Sequence, residues 1–148
     1  MPTYDPIITI QKAVFKALRD AQITLMATPV PTFEFVPQTV NPPYILISQQ
    51  TCIPSNGSTN CKVWECTLLL DILTTFSTGG GINSDDVAEI AAQVLGVLED
   101  KRLELSNGFQ MSPAELIMSN NLVDNKTKET IDVHRFLRFS FSLEYHQD

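Results

Sequence analysis

The run from Lys62 to Phe76 constrains this chain more than any other feature. It is apolar, uninterrupted by proline or glycine, and alternates as a strand does. Trp64, Cys66, Leu68, Leu70 and Ile72 share one face, while Glu65, Thr67, Leu69, Asp71 and Leu73 share the other. The first set is apolar enough to carry helices. The second is half polar, so it is expected to be wetter or covered by a partner. Leu69 and Leu73 on that second face are therefore candidate interface residues, the alternative being cover from another part of the same chain. The run breaks at Ser77-Thr78-Gly79-Gly80-Gly81, where glycine frees the backbone to turn or to reach a neighbour. Asn83 or Ser84 then caps a helix whose first turn holds Asp85 and Asp86, as the helix dipole favours. Val87, Ile90, Ala91, Val94, Leu95 and Leu98 form its apolar stripe. The small residues Ala88, Ala91, Ala92 and Gly96 suggest close approach to a sheet.

Upstream, Asp5-Pro6 reads as an N-cap followed by proline at the first helical position. Ile7, Ile10, Val14, Leu18 and Ala21 fall on one face of the helix that follows, which is expected to end near Gln22. Thr28-Pro29-Val30-Pro31 breaks the chain. Thr32 to Val36 alternates as a strand, and Gln38 to Pro43 is a second break. Tyr44 to Gln50 is a strand rich in β-formers. Past a turn at Ser106-Asn107-Gly108, a fourth strand is expected within Glu115 to Val123, a polar hairpin loop over Asp124 to Glu129, and a last strand from Ile131 to Tyr145. The order helix, three strands, helix, two strands predicts an α+β fold. About five strands make a mainly antiparallel sheet with both helices on one face. At 148 residues it reads as one domain, 1–148.

Little in the sequence suggests chemistry. The two histidines, His134 and His146, stand in no metal-binding spacing, and neither a phosphate-loop nor a dinucleotide motif follows the glycine run. Asp85 and Asp86 would repel phosphate from that helix end. Cys66 with His134 is the sole nucleophile and base pairing to weigh, and Cys66 reads more simply as a small core residue. No catalytic residue, cofactor or metal is expected. Net charge is −7, which argues against a groove that grips nucleic-acid phosphate. No basic region with an apolar run opens the chain and no segment is apolar enough to span a bilayer, so a reducing compartment and unpaired thiols are expected. Cys52 and Cys61 flank the loop Ile53 to Asn60, and could lie near each other if that loop closes a hairpin. Lys126, Lys128, Arg135 and Arg138 gather near the last hairpin. Arg138, on one strand face with His134 and Phe136, suits solvent or a protein contact better than nucleic acid.

Taken in order, the helix Ile7 to Ala21, the strand Tyr44-Ile45-Leu46-Ile47-Ser48, the strand Trp64 to Phe76, the glycine link, the helix Asp85 to Leu98 and the strand Val133 to Phe139 resemble the tail-completion or tail-terminator proteins of long-tailed bacteriophages. The resemblance covers most of the chain, in pattern and not in an invariant motif. The segment Gln38 to Pro43 and the insert Cys52 to Cys61 match nothing in it. It implies a virion structural protein without enzymatic activity. Six copies would ring the end of the tail tube in the neck, contacting tube and head-completion proteins, with DNA passing through without sequence-specific binding. Assembly would take place in the host cytoplasm, without a membrane. A ring needs two unlike patches per subunit. The loops Ile53–Asn60 (Ile53, Pro54, Asn56) and Ser77–Asn83 (Gly79, Gly80, Gly81, Ile82) are candidates for one of them. A head-closure adaptor, or a small non-phage module dimerising through Leu69 and Leu73, are the alternatives.

Overall fold

Two strands of unusual length organise the molecule. In a computed structural model that describes residues 5–35, 40–55, 61–77, 85–124 and 129–146, β5 (Cys61–Ser77) and β8 (Thr130–His146) pair antiparallel from end to end. At about 3.4 Å per residue this spine is roughly 55 Å long. The helices are α1 (Pro6–Asp20) and α2 (Asp85–Leu98). Each spans only about 22 Å at 1.5 Å per residue, so neither can cover the spine alone.

α1 begins where the sequence places it. Asp5 accepts a hydrogen bond from the Ile7 amide at 2.9 Å, and Pro6 occupies the first turn. Ile10, Val14 and Leu18 of α1, with Ile90, Ala91, Val94 and Leu98 of α2, bury against one face of the sheet. That face is built from Cys66, Leu68, Leu70 and Ile72 of β5 and from Leu137, Phe139, Phe141 and Leu143 of β8. The α+β architecture and the placement of both helices follow the expectation.

The sheet is larger than the expected five strands. β3 (Thr32–Phe33), β4 (Tyr44–Ser55), β5 and β8 run side by side, and β8 carries both β6 (Phe109–Met111) and β7 (Glu115–Asp124) on its far side. β6 pairs near the C-terminal end of β8, and β7 pairs along its first two thirds. Within 32–36 the described strand is Thr32–Phe33, parallel to β4, and Val36 lies outside the described residues. Leading into the expected break at Thr28–Pro31 is a two-stranded hairpin of β1 (Thr24–Leu25) and β2 (Thr28–Pro29). Its turn residues Met26 and Ala27 have φ of 51° and 65°, the double left-handed conformation of a primed hairpin turn. Gln93 of α2 holds the hairpin by exchanging two hydrogen bonds with the Thr24 backbone, at 3.0 and 2.7 Å.

A further correction concerns α2. Ala91 is buried, but Ala88, Ala92 and Gly96 are exposed. Their small size marks the solvent side of the helix and not a close approach to the sheet.

Candidate interaction surfaces

The outer edge of β7 is the longest open strand edge among the described residues. All ten of its residues lie on one side of β8, and its other side meets no strand among the described residues. Ile117, Met118, Leu122 and Val123 are each at least 41% exposed. Unpaired backbone donors and acceptors along such an edge are a template for another strand, and soluble proteins ordinarily blunt them with lysine, proline or bulges. Here the blunting is slight: a bulge at Ile117 and carboxylates at the two ends, Glu115 and Asp124.

The opposite edge belongs to β4 and differs in character. Among the described residues β3 covers only Ile45 and Leu46. Beyond them β4 carries a bulge at Ser48, and its remaining length is uncharged, from Gln49 to Ser55. Gln50 reaches α1 by donating to the Ile7 carbonyl at 3.5 Å. Ile53, Pro54 and Ser55 stand exposed at the tip, Ile53 by 63%. Pro54 removes one donor from that edge.

Register partners share a sheet face. The face turned away from the helices therefore carries Leu46 and Thr51 from β4, Glu65, Thr67, Leu69, Asp71 and Leu73 from β5, and His134, Phe136 and Arg138 from β8. His134 Nδ1 lies 2.9 Å from Asp71 Oδ1, and its ring stacks on Phe136 with centroids 5.6 Å apart. Burial pushes the Asp71 carboxyl above its usual range, and the His134 contact partly offsets that rise. Leu73 is buried, at 3% exposure, between the register neighbours Tyr44 and His134. The chain itself thus already covers one of the two leucines proposed as an interface. Leu69 remains half-buried, flanked by Gln49 and Arg138, and Arg138 is itself half-buried beside Met118 of β7. Asn56, Gly79, Gly80, Gly81 and Ile82 lie outside the described residues. Sequence reasoning missed the β7 edge, because an exposed edge strand and a half-buried one alternate alike.

The nucleophile and base that the sequence offers do not converge. Cys66 faces the helices, whereas His134 faces the other side of the sheet, so they form no dyad. Among the described residues no group of three histidine, cysteine or acidic side chains is arranged to hold a metal, and no helix is long and apolar enough to cross a membrane. A groove of about 700 Å3 beside β6 is lined by Arg102, Leu105, Phe109, Ser112 and Glu144 among others, with neither histidine nor cysteine.

The fold is a two-layer α+β architecture whose sheet ends in two edges of different chemistry. The model of the family described as tail completion protein gp17 matches residues 12–142, and this chain belongs to that family, a family of structural proteins of the virion tail. No curated protein matches the sequence. Among solved structures, a chain from the structure titled "Virion of native gene transfer agent (GTA) particle" has a similar fold, with a TM-score of 0.67 at 15% identity. The match covers 95% of this chain and 99% of that one.

Proposed function

We propose that this protein is a ring subunit closing the finished tail tube and joining tail to head, with six copies surrounding a passage for DNA. One observation carries the ring: among the described residues the subunit offers two open sheet edges of different chemistry on one continuous sheet. Unlike edges suit head-to-tail pairing, which closes into a ring where the rotation between neighbours closes and runs on as a filament where it does not. Self-pairing of β7 is the poorer option. With its ten residues in full antiparallel register, Glu115 of one copy would face Asp124 of the other at both ends, and opposed like charges disfavour such a pair. The β4 edge from Gln49 to Ser55 carries no charge and imposes no such penalty.

The net charge of −7 supports passage of DNA without adhesion, since the field around such a subunit repels phosphate. A non-catalytic role, carried by shape and contact, is in keeping with a family of structural virion proteins.

The test is electron microscopy of virions assembled without this protein, and with Leu122→Lys/Val123→Lys on the β7 edge. Both should give tails that fail to join heads, or tails of irregular length, while the purified variant keeps its fold by circular dichroism. Normal tails joined to heads in the deletion would overturn the reading. Normal assembly by the folded double variant would overturn the β7 edge as the contact.

A further inference from the structure

Cys52 and Cys66 are direct register partners across β4 and β5, and their sulfurs are 3.1 Å apart. Antiparallel partners have Cα atoms about 4.5–5.5 Å apart, inside the roughly 4.4–6.8 Å span of disulfides. The two strands therefore need not move for a bond to form. The ladder is pinned beside them, where the hydroxyls of Thr51 and Thr67 meet at 2.5 Å on the opposite face. Cys61, the other thiol flanking the 53–60 loop, is out of range. It lies five residues along the strand from Cys66, which is about 16 Å, because the hairpin continues past Cys52 to Ser55.

The two sulfurs are unequal. Cys66 is buried at 1% exposure and Cys52 is half-buried. The Cys66 thiol donates to the Cys52 sulfur, which holds Cys52 below the usual thiol range. The same bond, with burial, pushes Cys66 up. A lowered thiol pKa and partial exposure make Cys52 the more reactive of the two sulfurs.

We propose that Cys52 and Cys66 are an oxidation site, closing to a cross-strand disulfide when the chain meets peroxide. The Cys52 thiolate attacks the peroxide, whose O–O bond breaks, leaving Cys52 sulfenic acid and hydroxide that takes up a proton to become water. The Cys66 sulfur then attacks the Cys52 sulfur. The S–O bond breaks, and the departing oxygen leaves as water with the Cys66 proton. Two thiols lose two electrons and one peroxide gains them. The product ties the C-terminal half of β4 covalently to the spine, and the inference is independent of the ring.

The test treats the full chain with hydrogen peroxide, denatures it in an alkylating agent and maps its peptides. Alkylatable thiols should fall from three to one, with a mass loss of about 2 Da, a single Cys52–Cys66 linked peptide, and full reversal by dithiothreitol. Cys61→Ser should form the same bridge, and Cys52→Ser should form none. The oxidised protein should unfold at a higher denaturant concentration than the reduced one. A Cys52–Cys61 or intermolecular bridge, three thiols left unreacted, or Cys52 driven to sulfinic acid beside a reduced Cys66 would each overturn the proposal.

Discussion

The two faces of the central sheet are made from the same strands, yet they are built to different ends. On the helix side, Leu70, Ile72, Leu137, Phe139 and Leu143 are sealed beneath α1 and α2 with no measurable exposure. On the other side the same strands present Leu69, His134, Phe136 and Arg138 only half-buried, interleaved with Glu65, Thr67 and Asp71. The difference teaches where stability and assembly reside. The first face supplies nearly all the apolar burial that holds the monomer. The second, with the β7 edge beside it, is freer to vary in a monomer and is available to neighbours.

The sharpest way to break this contrast is to cut one leucine from each face. Leu137→Ala removes a fully enclosed side chain and should cost about 2–5 kcal/mol, through lost transfer energy and the cavity left behind. Leu69→Ala, half-buried, should cost closer to about 1 kcal/mol. Urea denaturation of the two variants measures both. Equal losses would mean that the outer face is a second core and would end the distinction.

A smaller effect tests the outer side of the helical layer. Gly96 is exposed in α2, and a Cβ built on it meets no atom within 4 Å. Gly96→Ala should therefore stabilise the protein by about 0.4–1 kcal/mol, chiefly by restricting the unfolded chain. A loss in the purified protein would show that something packs against this side of α2. A gain in the purified protein with a loss of tail joining in virions would place a partner there instead.

Much of this architecture is legible in the sequence because it rests on local signals. The Asp5-Pro6 cap starts α1 where expected, and Asp85 and Asp86 open α2. The alternation of Trp64 to Ile72 assigns the helix-bearing face correctly. What fails to be legible depends on partners distant in sequence. The bulge at Ser48 reverses which residues of β4 face the helices: Ile45 and Ile47 do so before it, Gln50 and Cys52 after it. Simple alternation cannot carry that change. The pairing of Cys52 with Cys66 follows from that register and could not be reached by counting from the loop. The β1–β2 turn uses Met26 and Ala27 in a conformation that glycine or asparagine normally signals. As for the candidate interface, Ile53, Pro54, Leu69 and Arg138 were visible as residues. The exposure of β7 required knowing that no described strand lies beyond it.

The finest probe of the outer face is Asp71, where the contrast becomes a matter of pH. Its carboxyl is pushed up by burial, with the contact to His134 offsetting only part of that shift. The folded protein therefore holds this proton more tightly than the unfolded chain does. Stability contributed by the protonated form is fully present below the unfolded pKa, near 3.8, and is lost as pH rises through the higher folded value. Stability should thus fall with rising pH across the window just above the ordinary carboxylate range, against the usual trend of paired carboxylates. Asp71→Asn keeps an acceptor for the His134 ring but cannot titrate. Urea midpoints measured through that window should lose this downward component in the variant and keep it in the parent. Parallel pH profiles would mean that the Asp71 carboxyl is as well solvated as on an open surface, and that the two faces differ less in burial than their side chains imply.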